Sequence, residues 1–277
     1  MATAKQKTAL VTGSTDGVGR LVAKRLGQDG WRVLVHGRDA ARGARAVAEV
    51  EAAGGAAEFL PADFSALAEV ARLAEAVAKT TQRLDLLINN AGIGSHGSRE
   101  TSADGYELRF AVNYLSGFLL TYRLLPLLKA SAPARIVNVS SLGQEAIDFA
   151  DVMVTREYSG LRAYRQSKLA QIMFTIDLAK ELEGTGITVN ALHPATFMNT
   201  TMVRLNGVTP VSTVEEGAEA ILKLAVSAEM TDRSGLYFNG QREARADAQA
   251  YDAAARRRLK ALSAELVGLT AGKTGTQ

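Results

Sequence analysis

The stretch Thr8-Ala-Leu-Val-Thr-Gly-Ser-Thr-Asp-Gly-Val-Gly19 decides the fold of this chain. Residues 8–11 predict a β-strand, and a helical pattern starts at Arg20, after a turn with glycines at positions 13, 17 and 19. Positions without a side chain let the backbone approach a pyrophosphate, and the first turn of a helix offers unpaired N–H groups to an anion. An ordinary glycine-rich turn is the alternative. The pattern favours dinucleotide binding by Gly13, Ser14, Thr15, Asp16, Gly17, Val18 and Gly19.

Outward from this turn, short β-branched runs alternate with longer helical patterns. The predicted strands are 8–11, 32–36, 57–60, 86–89, 135–140, 188–192 and 236–238. Such alternation predicts βαβ units, and apolar strands without polar alternation are typical of a parallel sheet covered on both faces. We therefore predict one α/β domain over residues 1–277, a doubly wound Rossmann-type fold with about seven parallel strands.

Composition excludes several classes of protein. The 277 residues are 47% hydrophobic and 22% charged, close to the average of globular domains, and contain no cysteine for a disulfide scaffold or a thiolate metal site. The net charge of +3 is too small to indicate a nucleic-acid partner. The first seven residues hold no apolar leader, and the longest uncharged run, 184–203, is rich in polar residues. We expect no membrane span, no metal site and a cytoplasmic location.

The end of the second strand predicts which nicotinamide dinucleotide is bound. An acidic residue there bonds a free 2′-hydroxyl, whereas an arginine accommodates a 2′-phosphate. Gly37 stands at the strand end and Arg38 follows it, and a guanidinium binds phosphate through two parallel hydrogen bonds. We expect Arg38 to favour NADP over NAD, and Asp39 to cap the next helix. A plain surface charge at Arg38, with Asp39 on the ribose, is the alternative.

Five motifs in this order resemble the short-chain dehydrogenase/reductase family, from Thr8 to about Leu266. They are Thr12-Gly-x-x-x-Gly-x-Gly19, Asn89-Asn90-Ala91-Gly92, Asn113, Ser140-Ser141 and Tyr164-x-x-x-Lys168. Two further features are similar to the retinol-dehydrogenase-like branch of that family. They are the 23-position spacing from Ser141 to Tyr164 and the ending Tyr237-Phe238 followed by Glu243-Ala244-Arg245.

The Tyr164 and Lys168 pair indicates proton transfer. Residues four apart share one face of a helix, and an ammonium near a phenol lowers the pKa of the phenol from about 10. The resemblance implies that Tyr164 is the acid–base residue, that Ser141 orients the substrate oxygen, and that Lys168 supports the tyrosine and the cofactor ribose. Alternation along the strand turns Ser140 away from the cleft, which predicts a structural role for it.

Other roles are implied by the resemblance alone. Asn113 is expected to support a water-linked proton path to the lysine, although a buried asparagine bonded to backbone is the alternative. Asp63 and Phe64 are expected among the cofactor contacts, with Asp63 at the adenine amino group. An N-terminal helix cap is the alternative role of Asp63, and the two roles are compatible. The remaining cofactor contacts are expected from Asn90, Ala91 and Gly92 along the ribose, and from Pro194, Thr196 and Asn199 near the nicotinamide. The chain departs from the family pattern at Pro194-Ala195, where relatives carry Pro-Gly, and at Asn199, where they carry threonine.

These features predict an NADP-dependent oxidoreductase that interconverts an alcohol with a ketone or aldehyde by hydride transfer. A non-catalytic NADP-binding regulator on the same fold is the alternative, which the retained serine, tyrosine and lysine disfavour. The substrate pocket is expected from residues 143–162, 197–214 and the chain after 239, where apolar side chains favour a lipophilic small molecule. These side chains are Phe149, Met153, Phe197, Met198 and Met202. Helices predicted over 104–129 and 163–183 are candidates for pairing in a homo-oligomer.

Overall fold

The computed structural model describes residues 6–205 and 207–269. Two predictions fall partly outside these residues, namely the domain bounds of 1–277 and the leader-free stretch at residues 1–7.

The described residues form an α/β domain around an eight-stranded sheet. The strands are β1 (Thr8–Val11), β2 (Arg32–Gly37), β3 (Ala56–Pro61), β4 (Leu86–Asn89), β5 (Ala134–Val139), β6 (Ile187–His193), β7 (Tyr237–Asn239) and β8 (Arg242–Ala244). Their spatial order is β3-β2-β1-β4-β5-β6-β7-β8, with β1 to β7 paired in parallel and β8 antiparallel to β7. The predicted doubly wound fold is confirmed. Strand β8 was missed because its three residues, Arg-Glu-Ala, have low strand propensity.

Eight α-helices are present in the described part of the chain. They are α1 (Gly17–Gln28), α2 (Ala40–Ala52), α3 (Leu67–Thr80), α4 (Ser116–Ala130), α5 (Gly160–Glu181), α6 (Thr201–Leu205), α7 (Val214–Val226) and α8 (Ala253–Leu266). A π-helical segment, Phe110–Leu115, runs directly into α4. The helix expected from residue 104 starts later, because the Ser102 hydroxyl accepts from the Asp104 and Tyr106 amides and closes a turn. None of the described helices is long and apolar enough to cross a bilayer.

The core lies on both faces of the sheet because the strands bury both sets of alternating side chains. Leu10 and Leu34 pack on the side of α3, α4 and α5, whereas Val11 and Val35 pack on the side of α1, α2 and α7. The carboxyl ends of β1, β4, β5 and β6 lie next to one another in the sheet. Segments that follow these strands therefore meet at one edge, which is where open α/β sheets bind ligands.

Helix α8 packs against α5, one of the helices considered for pairing between subunits. Arg256 Nε donates to Asp177 Oδ1 at 2.6 Å, and Lys260 Nζ donates to Glu181 Oε2 at 2.7 Å. The chain itself therefore covers part of the α5 surface, and the predicted homo-oligomer stays a prediction.

Candidate active site

The glycine turn between β1 and α1 is held closely against the end of β4. Asp16 caps α1 by accepting from the Gly17 amide at 2.8 Å. Gly13 has a φ of +65°, and a Cβ on it would lie 2.8 Å from Ala91 Cα. A Cβ on Gly19 would lie 2.4 Å from the Gly13 carbonyl oxygen. Side chains are therefore excluded at these positions by close backbone packing, as expected for a phosphate-binding turn.

Side chains at the ends of β1 and β4 bond the two strands together. The Thr12 hydroxyl oxygen accepts from the backbone amides of Asn90 at 2.9 Å and Ala91 at 3.0 Å. Asn90 Nδ2 donates to the carbonyl oxygens of Thr12 at 2.8 Å and Gly13 at 3.1 Å. The Asn90 side chain thus closes the turn and holds Asn90 and Ala91 beside it, while their predicted contact with the adenosine ribose stays a prediction.

The end of β2 has no room for the acidic residue that would bond a free 2′-hydroxyl. A Cβ on Gly37 would lie 2.6 Å from the Thr15 side chain. Arg38 follows with its side chain 70% exposed, and its Nη1 lies 3.6 Å from Asp63 Oδ2. Asp39 caps α2 by accepting from the Arg42 amide at 2.8 Å, as predicted.

Asp63 and Phe64 lie in the segment after β3. Burial opposes ionisation of Asp63, but hydrogen bonds from Ser65 and the nearby Arg38 outweigh it and lower the pKa of the carboxyl group. The helix-cap alternative for Asp63 is wrong, because the N-cap of α3 is Ala66, and Asp63 Oδ1 accepts from the Ser65 amide in the turn before the helix. Phe64 is 5% exposed.

The predicted catalytic side chains meet at the carboxyl end of β5. Ser141 and Tyr164 both face Gly143. A Cβ added to Gly143 would lie 3.5 Å from Ser141 Oγ and 3.9 Å from Tyr164 Cε1. Lys168 Nζ lies 5.7 Å from the centre of the Tyr164 ring. Ser140 points the other way and donates to the Lys168 carbonyl oxygen at 2.7 Å. The structure therefore brings together Ser141, Tyr164 and Lys168, and gives Ser140 the predicted bracing contact.

Burial shifts the pKa values of Tyr164 and Lys168. It raises the pKa of Tyr164, and the interaction with the Ser141 side chain only partly opposes the rise. The predicted lowering of the Tyr164 pKa is therefore wrong for this structure, because burial raises that pKa. Lys168 Nζ donates to the Val139 carbonyl oxygen and to Gln171 Oε1, both at 3.0 Å. Burial lowers the pKa of Lys168 to about 7.

Asn113 occupies the π-helical segment and bonds backbone and side chain alike. Its Oδ1 accepts from the Ile93 amide at 2.7 Å, and its Nδ2 donates to Ser167 Oγ at 3.0 Å. A Cβ on Gly92 would lie 3.2 Å from Asn113 Oδ1 and 3.6 Å from Lys168 Nζ. Asn113 thus braces the segment after β4, while Gly92 keeps the space in front of Lys168 free of a side chain.

The residues after β6 that were predicted to contact the nicotinamide differ in their exposure and in their hydrogen-bond partners. Pro194 is buried, and Thr196 Oγ1 lies 3.0 Å from Nε2 of His193. Asn199 is exposed, and its Oδ1 accepts from Arg204 Nε at 3.0 Å. Thr200 is the residue next to the glycine turn, because its Cγ2 would lie 3.3 Å from a Cβ on Gly17. Nothing in the sequence distinguished Thr200 from Asn199 in this respect.

Three side chains that support the site were missed. Gln171 bonds Lys168 from one helical turn away, a spacing that could have been read from the sequence. Tyr237 and Gln144 both donate to the Ser141 carbonyl oxygen, at 3.0 and 2.9 Å. Tyr237 is 96 residues from Ser141 along the chain, so no local pattern indicated this contact.

Comparison with known proteins identifies the family of this chain. The family model described as short chain dehydrogenase matches residues 7–208. The chain is 38% identical to human Retinol dehydrogenase 13, over 98% of this chain and 87% of that protein. Among solved structures it is similar to the Pseudomonas aeruginosa RhlG/NADP active-site complex, with a TM-score of 0.70 and 31% identity over 84% of this chain and 94% of that one. A 3-ketoacyl-(acyl-carrier-protein) reductase from Brucella melitensis complexed with NADH is 27% identical, with a TM-score of 0.68 over 84% of this chain and 96% of that one.

The fold and the cleft define an NAD(P)-dependent oxidoreductase. The chain belongs to the short-chain dehydrogenase family, within which its similarity to the retinol dehydrogenases is confirmed. The residues present fit a nicotinamide dinucleotide, because α1 begins at Gly17 within the glycine turn and Gly92 leaves space beside Lys168.

Proposed function

We propose that this chain interconverts an alcohol with a ketone or aldehyde and prefers NADP over NAD. The observation that carries the proposal is the meeting of Ser141, Tyr164 and Lys168 at one end of β5, beside the glycine turn. These are a hydrogen-bond donor, a proton donor and a cation, which are the groups that reduction of a carbonyl requires.

In the proposed reaction, the bound nicotinamide supplies the hydride and this chain handles the proton. Negative charge develops on the substrate oxygen as the carbonyl is reduced. Ser141 Oγ donates a hydrogen bond to that oxygen, and Tyr164 Oη gives it the proton. A raised pKa suits this role, because Tyr164 stays protonated until the oxygen becomes basic.

Lys168 has a supporting role in the proposal. Its ammonium lies behind the Tyr164 ring, so its charge stabilises the phenolate that remains after proton transfer. Asn113 holds the segment after β4 in front of Lys168, where we propose that a water carries a proton back toward the tyrosine. Alcohol oxidation runs the same steps in reverse.

The preference for NADP is supported by the end of β2. Gly37 has no space for a carboxylate, and the Arg38 guanidinium is exposed beside Asp63. The two solved relatives contain different cofactors, NADP in one and NADH in the other, so the proposed preference depends on this chain's own residues.

A lipophilic small molecule is the proposed substrate. Large apolar side chains are exposed after β5 and in the segment after β6, including Leu142 at 53% and Phe197 at 50%. Relatives named retinol dehydrogenases at 36–38% identity are consistent with this choice. The cytoplasmic location remains a prediction.

The deciding experiment compares Tyr164→Phe with Tyr122→Phe. A panel of lipophilic alcohols and carbonyls is first screened on the wild type with NADPH and NADH, by absorbance at the nicotinamide band. On the best substrate, Tyr164→Phe removes the proton donor and keeps the ring, so turnover should fall by about 10² to 10⁴. NADPH affinity should change little. Tyr122, whose hydroxyl donates to Glu181 on the outer surface, is the matched control and should keep wild-type turnover.

A Tyr164→Phe variant that turns over at the wild-type rate would show that the tyrosine is not the acid. A wild type that binds NADPH and turns over nothing in the panel would instead favour the non-catalytic regulator.

A further inference from the structure

We infer that His36 is a positioning residue for the adenosine half of the cofactor cleft, because its ring joins the glycine turn to the segment after β3. This inference concerns binding and rests on the proposed NADP preference only in the choice of probe. His36 is the next-to-last residue of β2 and is 3% exposed. It takes no part in the proposed proton transfer.

Both ring nitrogens of His36 bond backbone from the two walls of the cleft. The Gly13 amide donates to Nδ1 at 3.1 Å, and Nε2 lies 3.2 Å from the Ala62 carbonyl oxygen. An amide can only donate and a carbonyl oxygen can only accept, so Nε2 carries the hydrogen and Nδ1 is the acceptor. Burial lowers the pKa of His36 to about 4, which keeps the ring in this neutral form at pH 7.

Further contacts make the ring a bridge between three segments. The imidazole stacks on the Phe64 ring, with centres 4.3 Å apart and planes at 26°. The backbone of His36 bonds Ser14 in both directions, at 3.0 Å to the hydroxyl and 2.9 Å from the amide. The His36 ring therefore links the glycine turn, the end of β2 that leads to Arg38 and the segment around Asp63, in addition to the backbone bonds between them.

The glycine turn is packed too closely to rearrange without cost when the His36 ring is removed. Its backbone already packs so closely that a Cβ on Gly13 would come within 2.8 Å of Ala91 Cα. Without the imidazole, the buried Ala62 carbonyl and the half-buried Gly13 amide would lose these partners, and unpaired polar groups pull the backbone toward new ones. We therefore expect weaker binding of the adenosine half, with the catalytic end of the cleft unaffected.

The test uses variants that keep different parts of the imidazole. His36→Phe retains the ring and its stacking on Phe64 but loses both hydrogen bonds. His36→Asn keeps an acceptor, Oδ1, close to the place of Nδ1. Calorimetric affinities for 2′,5′-ADP and NADPH are measured, together with kcat at saturating NADPH and the thermal midpoint. His193→Phe, at another buried histidine beside the nicotinamide segment, is the matched control for 2′,5′-ADP affinity.

We expect His36→Phe to bind 2′,5′-ADP and NADPH about tenfold more weakly or worse, since one or more buried hydrogen bonds are lost. We expect kcat to stay within about twofold, and His36→Asn to recover most of the affinity. If His36→Phe does not fold, His36→Gln takes its place. It keeps a donor toward Ala62, lacks the acceptor for Gly13, and should show the same loss.

Wild-type 2′,5′-ADP affinity in His36→Phe would overturn the inference. Equal losses of 2′,5′-ADP affinity in the Phe and Asn variants would also overturn it. If His36 were merely structural, the loss of affinity would track the fall in thermal midpoint and would not depend on whether the new side chain has a hydrogen-bond acceptor. A wild type that binds NADH and not NADPH would refute the proposed cofactor preference alone. In that case 5′-AMP replaces 2′,5′-ADP, and the same order of variants is expected.

Discussion

The two ends of the cleft are built in opposite ways. The proposed adenosine end, residues 12–19, 36–39 and 62–64, is packed so closely that a Cβ on Gly19 or Gly37 would come within 2.4 or 2.6 Å of a neighbour. The proposed substrate mouth, residues 142–159, 196–205 and 207–213, exposes large apolar side chains, with Leu205 at 63% and Val211 at 69%. Close contacts from both backbone and side chains surround the glycines of the first region, whereas apolar side chains face solvent in the second.

This difference explains why the cofactor is easier to infer than the substrate. Close packing permits only glycine at several positions of the adenosine end, so the sequence there has a recognisable pattern. At the mouth, many different apolar residues could occupy the same exposed positions. The sequence of this region therefore carries little information about the ligand.

The largest expected effect comes from adding one methyl group at each end. Gly19→Ala places a Cβ 2.4 Å from the Gly13 carbonyl oxygen, whereas Gly143→Ala, at the mouth, meets nothing closer than Ser141 Oγ at 3.5 Å. Overpacking should destabilise Gly19→Ala by about 3 kcal/mol, or about 6–12 °C in Tm, and impair NADPH binding. Gly143→Ala should melt and bind like the wild type. Equal behaviour of the two variants, by thermal denaturation and NADPH titration, would contradict the contrast between the ends.

A smaller effect is expected from charge at the adenosine end. Arg38→Asp should shift the ratio of NADPH to NADH affinity toward NADH by about tenfold or more, because a charge-assisted hydrogen bond contributes about 1.5–3 kcal/mol. Arg45→Asp, at an exposed position on α2, is the matched control and should leave the ratio unchanged. The ratio is measured from Kd values for both cofactors. Parallel losses of both affinities in Arg38→Asp would assign the arginine to the fold.

The smallest effect is expected at the mouth itself. Phe197 is half exposed, so Phe197→Ser should cost about 1 kcal/mol of contact with a lipophilic substrate and raise its KM by roughly fivefold. NADPH affinity and Tm should not change. Val226→Ser, at the end of α7, removes a comparably exposed apolar side chain outside the mouth and should leave KM unchanged. An unchanged KM in Phe197→Ser across the substrate panel would remove this ring from the proposed pocket.

The sequence by itself determined the parallel strands, the glycine turn, the Asp39 cap and the family. It also identified Ser141, Tyr164 and Lys168 as a group, because Ser141 follows the end of a strand and the other two residues share one face of a helix. These features depend on periodicity, turn chemistry and motif spacing, which are properties of residues close together in the chain. The functional roles of the group stay predictions that the experiments above test.

Only the tertiary structure decided the rest. Strand β8 exists because β7 offers an edge beside it, and its own residues have low strand propensity. Tyr237 reaches the Ser141 carbonyl oxygen, and His36 reaches Gly13 and Ala62, across 96, 23 and 26 residues of sequence. The pKa of Tyr164 is raised because burial outweighs the opposing hydrogen bond with the Ser141 side chain. Burial and contacts between distant residues arise only when the chain is packed, so no local pattern in the sequence could carry them.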